Sequence, residues 1–96
     1  MAYSASKGAI NGITVPMARD LGRFGIRVVT IAPGIFMTPL AEKMSDNVKA
    51  ALAKDSPLNR AGIPSEFAHF VQTGIENTFL TGCVLRIDGG AKLSNQ

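Results

Sequence analysis

The first part of the chain repeats its apolar residues at the spacing of an α-helix. The pattern runs from Tyr3 to Leu21, and one apolar row is formed by Ile10, Ile13, Met17 and Leu21. A second row consists of small residues, which let another backbone approach closely: Ala5, Gly8, Ala9 and Gly12. Because apolar residues lie on several sides, we expect this helix to be mostly buried. Pro16 removes one backbone hydrogen bond and is expected to kink it.

Two shorter stretches have the pattern of β-strands. Arg27–Ala32 is almost unbroken in apolar or β-branched character, which is typical of a parallel strand covered on both faces. Pro33–Gly34 ends this stretch. Val84–Ile87 is the second short strand, and Asp88–Gly90 follows it as a strong turn signal.

The region between the strands contains a further helix and an irregular segment. Arg60–Glu76 holds the helix, with Pro64 in the first turn and a predicted buried stripe of Phe67, Phe70, Val71 and Ile75. Before it, Leu40–Met44 and Val48–Lys54 could form short helices within a long segment. Such a segment is often a mobile lid or a binding loop, and a plain surface excursion is the alternative.

Composition narrows the class of protein. The 96 residues suffice for one domain, and 46% hydrophobic with 18% charged residues is a globular composition. The net charge of +3 comes without a Lys/Arg cluster, so a nucleic-acid partner is not expected. Cys83 and His69 are each the only residue of their type, so we expect no metal site. No apolar run suits a membrane span. From the N-terminal residues we expect no secretory signal, and we expect the polar tail Lys92–Gln96 to fray.

Tyr3 and Lys7 are the candidate chemical pair. Their spacing of about one helical turn places both side chains on the same face. An ammonium near a phenol favours the phenolate, so such a tyrosine can exchange a proton during catalysis. The alternative is a surface helix start with a solvated lysine and a packed tyrosine, and the pair alone favours that alternative.

The order of elements predicts an α/β fold that this chain only partly supplies. A helix, a turn and a buried strand ending in Pro-Gly are typical of α/β architecture. Two strands do not make a stable doubly wound sheet, and Arg27–Ala32 would have at most one neighbour. We therefore expect the chain to be the last third of a larger α/β domain.

Four motifs in order resemble the C-terminal part of the short-chain dehydrogenase/reductase family. They are Tyr3-Ser-Ala-Ser-Lys7, Arg27-Val-Val-Thr-Ile-Ala-Pro33-Gly34 ending at Thr38, Arg60-Ala-Gly-Ile-Pro64-Ser-Glu66 and Asp88-Gly-Gly90. Together they cover essentially the whole chain. The resemblance implies the C-terminal fragment of a Rossmann-like, doubly wound parallel sheet. In it, residues 1–96 would form a partial dinucleotide-binding domain that lacks the N-terminal Gly-rich half. Within the family the chain most resembles members that act on 3-hydroxyacyl-CoA or steroid alcohols, which points to an oxidoreductase of fatty acid metabolism.

The resemblance implies roles for individual residues. Tyr3 would be the general acid/base, and Lys7 would hold the nicotinamide ribose and make the Tyr3 phenol more acidic. Both Tyr3 and Lys7 would also contact the cofactor. On the cofactor side, the resemblance implies contacts from Pro33, Gly34, Ile35, Phe36 and Thr38, with the Ile35 backbone at the carboxamide. Cofactors in open α/β sheets lie beyond the carboxyl ends of the strands, which agrees with this loop. The segment Phe36–Asn59 would be the substrate lid.

Other implications of the resemblance concern partners and completeness. The cofactor would be NAD, although the residue that separates NAD from NADP lies upstream in the family. A homo-oligomer, dimer or tetramer, is implied, with the first helix pairing with its twin. Relatives are mitochondrial or cytoplasmic. The family's Gly-rich turn and catalytic serine have no counterpart here, and neither Ser4 nor Ser6 is assigned that role. We therefore expect the chain alone to be inactive.

One other class of function stays open from the sequence, and a third class has little support. A non-catalytic module would use the first helix only to pair with another subunit. A small basic nucleic-acid binder would need a motif or charge cluster that the sequence lacks. Among enzymes, hydroxyacyl, steroid and sugar alcohols are all substrates of relatives with the same Tyr/Lys pair.

Overall fold

The computed structural model describes residues 2–91, so Lys92–Gln96 and the expectation about that tail lie outside it. The elements in chain order are α1 (Ala2–Gly22), β1 (Val29–Pro33), α2 (Pro39–Glu42), α3 (Asp46–Lys54), α4 (Pro64–Glu76) and β2 (Cys83–Ile87). The predicted order of helices and strands and the α/β class are confirmed. β1 begins two residues later than predicted and includes Pro33, whose missing N–H suits the end of a strand.

The chain divides into two compact units. One contains the residues up to Ile31 together with Thr73–Leu85, and the other contains Ala32–Gln72 together with the residues from Arg86 onward. The boundary passes through both strands. α1 therefore belongs to the first unit, while the loop after β1 and the short helices α2 and α3 belong to the second.

β1 and β2 form a two-stranded parallel sheet in the described part of the chain. Before the strands, the Gly82 N–H donates to the Val28 carbonyl at 2.8 Å; after them, the Gly34 N–H donates to the Ile87 carbonyl at 2.9 Å. Residue numbers rise together along both strands, which is the parallel arrangement. The carboxyl ends of both strands consequently meet at one edge, from which the Pro33–Gly34 bend departs.

α1 is far less buried than its apolar pattern predicted. Only Thr14 and Ala18 are buried, whereas Ile10 and Ile13 are 46% and 50% exposed. Within the first unit, these two buried residues form a line that contacts the region of the strands. The Thr14 hydroxyl is hydrogen-bonded to the Thr30 hydroxyl, and a Cβ on Gly82 would lie 3.4 Å from the Ala18 Cβ. A sheet of two strands covers only this narrow line of the helix, so the expectation of a mostly buried helix is wrong for this chain. α1 continues through Pro16 as one helix.

Two other burial expectations also need correction. β1 is half-buried rather than buried on both faces, since it has a single neighbouring strand. In α4, Phe67, Phe70 and Val71 are half-buried, but Ile75 is 65% exposed and lies near the end of the helix. The buried apolar residues of the described chain are Ala18 and Ala91, so little of the apolar surface is removed from water.

The segment between β1 and α4 is organised by local caps. Thr38 has an extended backbone, as expected before proline, and its hydroxyl accepts a hydrogen bond from the Ala41 N–H at 3.3 Å. The Ser45 hydroxyl caps α3 in the same way through the Val48 N–H. Both short helices that the sequence predicted are present, each with its own start signal.

Two kinds of feature are absent from residues 2–91, a helix able to span a membrane and a cluster of metal ligands. Within that range no helix combines the length and the apolar character that crossing a bilayer requires. The same residues contain no group of three or more His, Cys, Asp or Glu side chains that could hold a metal ion.

Candidate active site

Tyr3 and Lys7 share one face at the start of α1. The Lys7 Nζ lies 5.5 Å from the centre of the Tyr3 ring, which is within the range of a cation–π contact. Tyr3 is 71% exposed, so its hydroxyl is open to a reaction partner. The Ser6 hydroxyl, by contrast, donates to the Tyr3 carbonyl at 2.9 Å and is occupied within the helix. The structure therefore brings the predicted phenol and ammonium together.

The predicted cofactor residues form one continuous loop in the second unit. Pro33 is the last residue of β1, and Gly34, Ile35, Phe36 and Thr38 follow it before α2 begins. The Gly34 N–H is bound to the Ile87 carbonyl at 2.9 Å. Among the described residues, the next amide, that of Ile35, donates to no backbone or side-chain acceptor.

Position 34 requires glycine, because Asp88 occupies the space that a side chain would need. A Cβ at this position would lie 2.7 Å from the Asp88 Cβ and 2.8 Å from the Asp88 Cα, closer than real Cβ contacts allow. Asp88 cannot yield easily, because its carboxylate accepts hydrogen bonds from Arg86 at 2.7 Å and from the Gly90 N–H at 2.9 Å. The Arg86 guanidinium lowers the pKa of the Asp88 carboxyl. The turn after β2 thus fixes the bend after β1.

The loop carries the donors that a nicotinamide carboxamide needs. The Ile35 N–H can donate to the carboxamide oxygen. The Thr38 oxygen accepts from the Ala41 N–H, which leaves its own proton free to donate. The residues present therefore fit a nicotinamide group in hydrogen-bonding character.

Phe36 pairs with Gly62, which lies just beyond the far end of the lid segment. Phe36 and Gly62 form an isolated parallel bridge, in which the Gly62 N–H donates to the Ile35 carbonyl at 2.9 Å and the Met37 N–H donates to the Gly62 carbonyl at 2.7 Å. The Phe36 ring packs edge-on against Phe67 with centroids 5.5 Å apart. The two ends of the segment predicted as a lid are therefore joined at its base.

A cavity of about 190 Å³ lies beside this base, within the second unit. Phe36 and Leu58 supply apolar walls, and Arg60, Glu66 and Asp88 are the charged residues that line it. Arg60 and Glu66 are paired with each other at 2.8 Å, and Asp88 is paired with Arg86. Because each charge has a partner, the cavity offers no unpaired charge to an ionic ligand.

Several residues that shape the site carried no predicted role. Gly62, the Arg60–Glu66 pair and Asp88 belong to motifs that the sequence singled out, but spacing alone does not show their contacts. From the sequence, Glu66 does no more than place a negative charge near the positive end of a helix. Its bidentate partner six residues earlier is not at helical spacing, so no periodicity could have revealed the pair.

Comparisons with known proteins identify the family. A family model described as Enoyl-(Acyl carrier protein) reductase matches residues 1–92. The chain is 56% identical over 93 residues to mouse 3-hydroxyacyl-CoA dehydrogenase type-2, covering 96% of this chain and 36% of that protein. It is 37% identical over 90 residues to a 3-oxoacyl-[acyl-carrier-protein] reductase of Thermotoga maritima, covering 92% of this chain and 37% of the relative.

A solved structure agrees with these relatives. The crystal structure of 3-hydroxyacyl-CoA dehydrogenase type-2 from Mycobacterium avium superimposes with a TM-score of 0.90 at 38% identity, covering 99% of this chain and 37% of that chain. This chain belongs to the short-chain dehydrogenase/reductase family, as its four motifs predicted. It spans about a third of the length of the curated relatives it matches, 36% in the case of the mouse protein.

Proposed function

We propose that this chain supplies the proton-transferring and nicotinamide-side parts of an NAD-dependent dehydrogenase that oxidises a secondary alcohol. The observation that carries the proposal is the Tyr3–Lys7 pair, with the ammonium 5.5 Å from the ring centre and the phenol exposed. The loop from Pro33 to Thr38 supports it with a tightly fixed bend and with the Ile35 amide, which has no acceptor among residues 2–91. Family membership supplies the reaction class.

The proposed chemistry divides between the two groups of residues. A bound nicotinamide would supply the hydride acceptor. The Tyr3 hydroxyl would take the proton of the substrate alcohol in oxidation and return it in reduction. Lys7 would stabilise the phenolate that forms, because a nearby positive charge favours the charged form of a phenol, and it would hold a ribose hydroxyl. Ile35 and Thr38 would orient the carboxamide.

The substrate proposed is a 3-hydroxyacyl-CoA, with a steroid alcohol as the alternative. Support comes from the relatives, whose names specify hydroxyacyl-CoA and oxoacyl-carrier substrates. The segment Phe36–Asn59, with α2 and α3, would act as the lid over the acyl group. NAD is proposed over NADP from the same resemblance, as are a homo-oligomeric assembly and a mitochondrial or cytoplasmic location.

A second candidate is a non-catalytic module that keeps only the pairing helix and the fold. One observation favours it: α1 exposes Ile10, Ile13 and Val15 by 46–50%, and Gly8 and Gly12 have nothing within 4 Å of an added Cβ. A surface of this kind could serve for association alone. Under this reading Tyr3 could be changed without any effect on catalysis.

A hybrid enzyme separates the two candidates. In it, this chain replaces the segment of mouse 3-hydroxyacyl-CoA dehydrogenase type-2 that it matches. The dehydrogenase proposal predicts NADH formation with a 3-hydroxyacyl-CoA, and slower formation with steroid or sugar alcohols. Parallel assays include NADP, although the preference between NAD and NADP is set by the upstream segment, which the mouse protein supplies. A folded hybrid that binds neither dinucleotide would favour the non-catalytic module.

The chain by itself is expected to show little or no dehydrogenase activity. The family's Gly-rich turn and catalytic serine have no counterpart among its 96 residues, so it would provide half of an active site. Robust NADH formation by the purified chain with an acyl-CoA or steroid alcohol would refute this expectation.

A further inference from the structure

Glu66 receives three hydrogen bonds at the start of α4. The Arg60 guanidinium donates to both carboxylate oxygens, at 2.9 Å to Oε1 and 2.8 Å to Oε2. The Ile63 N–H also donates to Oε1, at 2.9 Å. A bidentate pair of this kind is directional as well as strong, because the planar guanidinium matches the carboxylate. These bonds lower the pKa of Glu66 to about 2, with the Arg60 hydrogen bond as the largest cause.

The pair holds both peptide groups that flank Gly62. In the first peptide, Arg60 donates to the Ala61 carbonyl at 3.0 Å, while the Gly62 N–H donates to the Ile35 carbonyl at 2.9 Å. In the second, Glu66 accepts from the Ile63 N–H, while the Gly62 carbonyl accepts from the Met37 N–H at 2.7 Å. Each peptide is therefore bound by the ion pair at one end and by the loop at the other, and such chains of hydrogen bonds strengthen one another.

Packing of the Phe36 ring against Gly62 adds to the hydrogen bonds between Gly62 and the loop. A Cβ at position 62 would lie 2.5 Å from Cε2 of the Phe36 ring, so the ring occupies the place of a side chain. The same ring contacts Phe67 edge-on. Backbone and ring contacts thus act on the same short stretch, Ile35–Met37.

The Ile35 amide lies between two anchored points. On one side the Gly34 N–H is bound to the Ile87 carbonyl, and on the other the Ile35 carbonyl is bound to the Gly62 N–H. The peptide that carries the Ile35 N–H connects these two groups. If the Gly62 anchor loosens, the direction of this N–H is set from one side only.

We propose that Arg60 and Glu66 are positioning residues for the nicotinamide side of the site. They act through Gly62 to fix the Ile35 peptide, and they do not touch the reacting atoms. The proposal rests on the proposed function for its cofactor, and it assigns a role to the Arg60–Glu66 motif that the catalytic account leaves without one.

Amide hydrogen exchange in the full chain tests the anchor directly. Glu66→Ala removes all three hydrogen bonds to the carboxylate. It should speed exchange of the Gly62 and Met37 amides about tenfold, because both peptides that flank Gly62 lose the support of the ion pair. Glu66→Gln keeps an oxygen for the Ile63 N–H and should give a smaller increase. The Gly82 amide, bound to the Val28 carbonyl, is the internal control and should not change. If Glu66→Ala unfolds the chain, the Arg60→Lys variant takes its place. This variant keeps the positive charge and loses the planar guanidinium, and exchange is measured at the same two amides.

Kinetics of the hybrid enzyme test the connection to the cofactor. Glu66→Ala should raise the KM for NAD about tenfold and change the KM for the hydroxyacyl substrate less than twofold, with partial rescue in Glu66→Gln. Unchanged exchange at Gly62 and Met37 would overturn the proposal, as would faster exchange with an unchanged KM for NAD. A parent hybrid that binds no dinucleotide would overturn the proposed function and the cofactor role together, and the exchange rates would still decide whether the ion pair holds Gly62.

Discussion

Gly34 and Asp88 are packed so closely that position 34 has no room for a side chain. An added Cβ would lie 2.7 Å from the Asp88 Cβ and 2.8 Å from its Cα. The bend after β1 and the turn after β2 are therefore one structural unit. The loop predicted to contact the nicotinamide depends on this packing, because its first amide is bound to the residue before Asp88.

Gly34→Ala should destabilise the chain and disturb this loop. Forcing a methyl group against backbone atoms typically costs about 1–3 kcal/mol, which denaturant unfolding would measure. Gly12→Ala is the matched control, since nothing lies within 4 Å of an added Cβ there. The control should stabilise the helix by up to about 1 kcal/mol. Equal stability of Gly34→Ala and the parent would show that the close approach is wrong.

The buried Thr14–Thr30 contact predicts a second effect on stability. Thr14 is 1% exposed and donates to the Ile10 carbonyl at 3.0 Å, so Thr30 must donate to Thr14 across the 2.6 Å between their hydroxyl oxygens. Thr14→Val should cost about 1–3 kcal/mol, because it leaves the Thr30 hydroxyl without its acceptor. The double variant with Thr30→Val should cost less than the sum of the two single changes. Strict additivity in this cycle would contradict the contact.

Arg27 leads to a third prediction about stability, because its side chain binds the end of α4 and the residues after it. Its guanidinium donates to four carbonyls, at distances of 2.7–3.3 Å: Gly74, Ile75, Asn77 and Leu80. Arg27→Met should cost about 1.5–3 kcal/mol, the usual contribution of hydrogen bonds from a charged group. Arg27→Lys should recover only part of this, since an ammonium cannot reproduce the planar fork. Full recovery by lysine in thermal unfolding would mean that charge alone matters.

The sequence predicted the elements better than it predicted their burial. Periodicity placed α1, α4 and both strands, because those patterns depend on local geometry. Periodicity gave the wrong burial for Ile10 and Ile13, because an apolar residue does not show whether another element covers it. Burial depends on the number of strands beneath the helix, and this chain provides two.

The candidate site was predictable only where its contacts are local. Tyr3 and Lys7 are one turn apart, so helical geometry was enough to bring them together. Arg27 reaches carbonyls 47–53 residues away, and Gly62 meets Phe36 across the whole lid segment. Such pairings follow from the fold of the chain and leave no spacing signal in the sequence.

The low pKa of Glu66 predicts how the Arg60–Glu66 pair responds to acid. The carboxyl pKa is lowered from 4.5 to about 2, first through the Arg60 hydrogen bond and then through the Ile63 N–H. A lowered carboxyl pKa stabilises the folded chain above the unfolded pKa, and this contribution is lost as the pH falls from about 4.5 towards 2. Carbon NMR of the Glu66 carboxyl should therefore show a midpoint near 2.

Arg60→Lys should move this midpoint upward, because one ammonium replaces the bidentate guanidinium. Asp88 lines the same cavity and also has a lowered pKa, held by Arg86, so its titration must be followed separately. A Glu66 midpoint at the ordinary value in the parent chain would show that the ion pair does not form in solution.

Tyr3→Phe in the hybrid enzyme tests the central claim most directly. Tyr3 is mostly exposed, so removal of its hydroxyl should leave folding intact, and binding of NAD should change little. Positioned general acid–base catalysis typically contributes about 10²–10⁴-fold, so kcat for a 3-hydroxyacyl-CoA should fall by that factor. A Tyr3→Phe enzyme that binds NAD and keeps the parent's kcat would contradict the account.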